Sequence, residues 1–252
     1  MDAAQTIRDA VARVDLLRQQ AQAFPGLHAA TLAVKKFQAQ RFSATYADLL
    51  ASHEYAAATR FFLDELYSDR DYSERDAQFA RIAGALQRFF PATVIATAVS
   101  MAELHALTEE LDFAMAKAWS HNPPAMLADD IDTYVNTWNL VGRAADRNRQ
   151  LDVVLHVGAE LDRLTRTPGL RMMLRMMRRP ANAAGLGSLQ RFLEAGFDTF
   201  AGMSGQGSRA KEFLSLIHVR ETYWINQLFT DDSGPCVAQL QAVMNPAASN
   251  VA

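Results

Sequence analysis

SATYADLLASHEYAAATRFFLDELYSDRDYSERDAQFARIAGALQRFFP, residues 43–91, decides the fold class. From Tyr46 the apolar positions recur as Leu49, Leu50, Ala56, Ala57, Phe61, Leu63 and Leu66, which is helical spacing and not the period of two that a strand requires. Around Phe61–Tyr67 the apolar stripe covers most of the circumference, the pattern of a buried helix. Ser43 is placed to N-cap this helix. Ser68–Tyr72 lacks apolar periodicity and reads as a turn. Ser73 then opens a second helix, with Asp76 three residues on in a capping-box-like arrangement. Phe79, Ile82, Ala83, Leu86, Phe89 and Phe90 form its stripe, and Pro91 closes it or opens the next.

Working outward in both directions, the same periodicity recurs. Helices are expected over Asp2–Ala23, Leu27–Arg41, Ala92–Trp119, from Leu127 through Val141, and from Leu151 through Leu164. A short one runs from Thr167-Pro168 to Arg179-Pro180, and two longer ones cover Leu189–Phe200 and Arg209–Phe229. Arg143–Gln150 is a polar run that either breaks a helix or extends it as an exposed rod. No strand pattern and no fixed repeat of 20–50 residues is present. The expectation is an all-α protein: a compact multi-helix bundle of about nine helices, forming a single domain over residues 1–230. Residues 231–252, rich in Pro, Ser, Asn and Ala, read as a loosely ordered tail with one turn around Val237–Met244.

Composition narrows the functional classes. Half of the 252 residues are apolar and the formal net charge is −3, which argues against disorder and against a general polyanion binder. The single cysteine, Cys236, excludes an intrachain disulfide and a thiolate metal cluster, and fits a reducing, cytoplasmic setting. The N-terminus MDAAQTIRDAVARVDLL carries acidic residues and no apolar run, so no signal peptide is expected, and no stretch approaches the length of a spanning helix.

The segments ELYSDRDYSERDAQFARI (65–82), GLRMMLRMMRRP (169–180) and LQRFLEAGFDTF (189–200) resemble a family of uncharacterised all-helical bacterial proteins, a domain of unknown function. The resemblance extends over most of the chain. It implies an all-helical fold and brings no activity, cofactor or catalytic residue with it.

Four groups of residues are candidates for chemistry. His105, Glu109 and Asp112 share a helix face at steps of four and three, a spacing that can hold a divalent metal but that mixed-charge solvated faces also produce. His156 lies between Asp152 and Glu160 in the same way. A ferritin-like site is excluded, because the chain has no Glu-x-x-His, only the reversed His218-x-x-Glu221. Glu221 falls in the middle of the stripe Phe213, Leu214, Ile217, Trp224, Ile225 and Leu228, with His218 one turn before it. A buried carboxylate must pair or take up a proton. Either Glu221 and His218 form an acid/base pair in a pocket, or Glu221 makes a buried ion pair, for example with Arg60 or Arg220. The second is the more economical reading.

The fourth group is basic. Arg163, Arg166, Arg171, Arg175, Arg178 and Arg179 occupy seventeen residues with no acid among them. In the short helix Arg171, Arg175 and Arg178 share a face opposite Leu170, Met173, Leu174 and Met177, widened by Met172 and Met176. The acids Asp69, Asp71 and Glu74 of the charged turn are candidate internal partners for these arginines. A protein partner is the next reading. Nucleic acid is disfavoured because no aromatic side chains interleave for base stacking. Gly-x-Ser-x-Gly and Walker motifs are absent, and no cofactor is implied. The sequence therefore favours a non-enzymatic protein-interaction or regulatory module, with a small-ligand pocket or enzyme around Glu221 and His218 as the alternative.

Overall fold

The computed structural model describes residues 2–66, 70–121, 130–204, 208–230 and 232–245. Among them every regular element is a helix, so the protein is all-α. The helices are α1 (Ala3–Gln22), α2 (Pro25–Thr45), α3 (Ala47–Ala51), α4 (Ala56–Leu66), α5 (Ser73–Phe89), α6 (Ala92–His121) and α7 (Asp130–Val141). After these come α8 (Ala144–Thr165), α9 (Leu170–Met176), α10 (Arg178–Ala183), α11 (Gly187–Ser204), α12 (Arg209–Leu228) and α13 (Ser233–Met244).

The excess over nine comes from breaks that hydrophobic periodicity does not mark. Ser43 lies inside α2 and caps nothing. The chain breaks instead at Ser52, where the backbone is extended and the hydroxyl accepts from the N–H groups of Glu54 (3.1 Å) and Tyr55 (3.4 Å). This local side-chain turn competes with helix and restarts the chain as α4. At α5 the expected capping box is absent: the Ser73 N–H donates to Asp71 Oδ1 (2.9 Å), while Asp76 is buried in other contacts. Gly142 and Arg143, at φ 65° and 64°, end α7 and start α8, so Arg143 is the one residue of the polar stretch that leaves the helix. The short basic helix is two pieces: Gly169, at φ 80°, precedes α9, and Pro180 sits in the first turn of α10, where its missing N–H costs nothing.

Residues 233–244, expected as part of a loose tail, form a three-turn helix. Asp232 caps it by accepting from the Gly234 N–H (3.1 Å), and Cys236 and Leu240 are buried. Burial of a leucine side chain stabilises by roughly 1.5–3 kcal/mol, which is what orders a segment of loop-like composition. Residues 246–252 lie outside the described residues.

The chain divides into two compact units, each gathered from three separated stretches. The first comprises residues 1–16, 70–108 and 152–216. Its α1, α5 and α6 portions meet through Ile7, Ala10, Val14, Ala83, Ala102 and Ala106, and the alanines among them let the helices approach closely. Helix α11 lies on α5, where Gln78 Oε1 accepts from the Leu189 N–H (2.8 Å), and α9 and α10 lie against α11. Gly158 on α8 permits a similar approach, since a Cβ there would stand 2.6 Å from Leu214 Cδ2 of α12.

The second unit comprises residues 17–69, 109–151 and 217–252. Its core holds Val34, Phe37, Met115, Trp119, Tyr134, Val135, Trp138, Trp224, Leu228, Cys236 and Leu240. Phe37 and Tyr134 stack at 4.1 Å between ring centroids, and Tyr134 meets Trp138 at 5.7 Å. No described helix is long and apolar enough to cross a membrane.

Candidate functional site

A polar cluster runs through the interior of the second unit. Helix α2 supplies Lys35, Gln38 and Arg41 at steps of three, and α6 supplies Glu109 and Asp112 at the same step. Lys35 Nζ meets Glu109 Oε1 at 2.6 Å and Gln38 Nε2 donates to Asp112 Oδ1 at 3.0 Å. Both pairs are 74 residues apart, so the two helices run in the same direction along this face. One step further the register meets Met115, which offers no acceptor, and Arg41 turns to α12. Its guanidinium grips Glu221 through both Nη atoms (3.2 and 2.8 Å), and the Tyr46 hydroxyl donates to Glu221 Oε1 (2.9 Å). Arg41 is 4% exposed and Glu221 6%.

Glu221 is therefore a buried, doubly held carboxylate. Its partner is Arg41, not Arg60 or Arg220. Arg60 is exposed, and Arg220 forms a bidentate pair with Asp48 (2.7 Å twice) that holds the Asp48 carboxyl below its ordinary range. His218 is exposed, so the turn that buries Glu221 carries the imidazole away from it. Arg147 completes the cluster, buried and stacked over the Trp138 ring at 4.2 Å. Three acids (Glu109, Asp112, Glu221) thus share the interior with three bases (Lys35, Arg41, Arg147). Such a buried set adds little net stability over well-packed apolar side chains, because the cost of desolvating the charges offsets their attraction.

Asp112 is the exception within the set, because the partner it directly touches is neutral Gln38. Burial pushes its pKa up, against the pull of Lys35 and Arg147. A carboxyl with a raised folded pKa contributes most when protonated, and that contribution is lost as pH rises from the ordinary value of 3.8 through the folded one. Asp112→Asn is accordingly expected to raise the melting temperature at pH 7 and to flatten its dependence on pH above 4. Melting curves across pH that match the parent would contradict this.

The metal-spaced trio is dispersed. His105 Nε2 meets Asp76 Oδ2 at 2.8 Å in the first unit, whereas Glu109 and Asp112 serve the pairs above. Among the described residues no three His, Cys, Asp or Glu side chains gather to hold a metal ion. His156 is exposed, and Glu160 beside it pairs with Arg163.

The basic helix faces α11 in the first unit. Arg171 meets Asp198 at 2.7 Å, Arg175 approaches the same carboxylate at 3.7 Å, and Arg178 Nε meets Glu194 at 2.6 Å. Glu74 instead accepts from Gln78 Nε2 and Ser188 Oγ, both at 2.9 Å, and Asp71 accepts from the Ser73 N–H; Asp69 lies outside the described residues. Changing Arg171, Arg175 and Arg178 to Glu is expected to lower the melting temperature modestly, since these are half-exposed ion pairs. Adding Asp198→Lys and Glu194→Lys should recover much of the loss, a coupling that independent sites do not show.

On the other side of this segment the methionines are in water. Helix α9 buries no residue, and Met172 and Met176 are 69% and 71% exposed, with Met173 and Met177 also exposed. The methionines therefore form no part of a core; α9 and α10 meet α11 through the arginine pairs and through the bond that Gln190 Nε2 donates to the Leu174 carbonyl (2.7 Å). Ala159, Asp162, Arg163 and Arg166, which precede this segment in the sequence, line an open cleft of about 280 Å³ together with Lys211 and Leu214.

The polar cluster, the methionine surface and the cleft all lie on an all-helical chain, every regular element of whose described residues is a helix. The chain belongs to the family described as Domain of unknown function (DUF8198), whose model matches residues 17–235. Comparison with curated proteins and with solved structures gives no match.

Proposed function

We propose that the protein is an interaction module that binds another protein through α9 and α10. The observation carrying this reading is the four exposed methionines, 172, 173, 176 and 177, on a helix pair that buries only Ala181. Unbranched, polarizable methionine side chains suit adaptable binding surfaces, and contiguous exposed apolar side chains rimmed by charge are typical of interaction sites. Against the alternative of a ligand pocket or enzyme centred on Glu221 and His218 stand the Arg41 and Tyr46 contacts that saturate Glu221 and the exposure of His218.

The test places a photoreactive amino acid at position 176 in cells of the native host. A second protein carries it at position 140, where an equally exposed leucine lies in the other unit. Discrete protein adducts at 176, absent at 140 and abolished by Met172→Ser with Met173→Ser, are expected. Adducts equally strong at both positions, or at neither, would end the proposal. We further propose that residues 1–230 act as one domain. Neither unit is a contiguous stretch that a linker could set apart, and a single calorimetric transition is expected.

A further inference from the structure

We infer that the cleft between α8 and α12 is the anchor point of this interface, and that it seats one projecting apolar side chain of an acidic helix on the partner. This rests on the interaction reading above and adds the partner's chemistry. The apolar lining is exposed Ala159 above buried Leu214, whose side chain is drawn back against Gly158, where the lack of a Cβ leaves room for it. The rim carries Arg163 and Arg166, about half exposed (54% and 51%) and paired with Glu160 and Asp162, together with exposed Lys211, three cations to two acids. Asp162 lies deeper, and its charge is answered by both its contacts with Arg166 Nη2 (3.1 and 2.9 Å).

At about 280 Å³ the open cleft falls at the foot of the range of small-molecule pockets, roughly 300–1,000 Å³, and suits a single side chain. The arginines of the cleft belong to the same acid-free run, residues 163–179, that carries the exposed methionines. An acidic helix with apolar residues one turn apart satisfies both features: one side chain enters the cleft while flanking carboxylates meet Lys211 and Arg163. A lipid surface offers no projecting group to a recessed floor. A nucleic acid would want aromatic platforms, and residues 159–179 contain none.

The experiment measures anisotropy of a labelled helical peptide with leucines at i, i+4 and i+7 flanked by glutamates, titrated with the full-length protein. A second peptide has lysines in place of the glutamates, and vesicles of phosphatidylglycerol and phosphatidylcholine are run in parallel. Two variants change exposed positions only: Ala159→Tyr fills the cleft and Lys211→Glu reverses its rim. Circular dichroism confirms that both are folded. The glutamate peptide should bind about tenfold or more tighter than the lysine peptide, equivalent to about 1.4 kcal/mol, and should weaken with salt. Each variant should weaken it about tenfold. Equal affinity for both peptides, no binding of the glutamate peptide, or indifference to Ala159→Tyr would overturn the inference. Indifference to Ala159→Tyr with adducts at position 176 intact would remove the anchor and leave the interaction reading standing. Peptide binding without adducts at 176 would do the reverse. Vesicle binding in place of peptide binding would replace the protein partner by an anionic membrane.

Discussion

Glu221→Ala is expected to destabilise the protein by about 3–5 kcal/mol, because it leaves the Arg41 guanidinium buried without its counter-charge. The size of the loss comes from the stranded charge, more than from the contact removed. Glu221→Gln should cost less, since the side-chain amide keeps the volume and can still accept from Tyr46. Arg41→Leu combined with Glu221→Leu should recover most of the loss, because no charge then remains to be desolvated. Urea denaturation of the parent, Arg41→Leu, Glu221→Leu and the double variant gives the cycle. A stable Glu221→Ala protein, or a double variant no better than the worse single one, would show that the pair is not what seats α12 on α2.

Tyr134→Ala should be as damaging, at about 3–5 kcal/mol, the range for truncating a buried aromatic. Tyr134 is fully buried, stacked on Phe37 and in contact with Trp138, so its loss opens a cavity between those two rings. Tyr134→Phe keeps the stack and should cost far less. The phenol carries a pH signature as well. Burial pushes its pKa from 10.0 to about 12, so the unfolded chain ionises first and stability is lost as pH rises between those values. The Phe variant should lack that component of alkaline unfolding. A parent and a Tyr134→Phe protein with the same alkaline profile would contradict the assignment.

The helical class was legible because every long apolar pattern between residues 3 and 228 repeats at helical spacing. Breaks were not. Ser52 interrupts a stripe that continues in phase on both sides of it, and neither glycine nor proline marks the place. Helix α13 was illegible for the opposite reason: its composition is that of a loop, and order comes from seating Cys236 and Leu240 in a core built elsewhere.

Glu221 was recognisable as a charge on an apolar stripe. Its partner carried the same signal: Arg41 stands four residues after Phe37 and seven after Val34, both buried on α2. Arg147 likewise stands four before buried Leu151. Polar residues on two or more stripes of one chain are to be paired with one another before surface residues are considered. Spacing along one helix left two readings open for His105, Glu109 and Asp112, because a shared face does not mean a shared environment along a 30-residue helix. The exposure of the methionines was not legible, because their burial depends on whether another element covers them, which the sequence of α9 does not encode.

The single cysteine has a practical consequence. Cys236 is 1% exposed, lies on α13, and has its thiol pKa raised by burial. In the closed state it is shielded from thiol reagents and is a poor nucleophile. It reacts when α13 lifts from α2 and α7, so the rate of labelling by a disulfide reagent measures the frequency of that opening. The protein thus carries a built-in clock for its C-terminal helix, readable in the unmodified chain without any introduced probe.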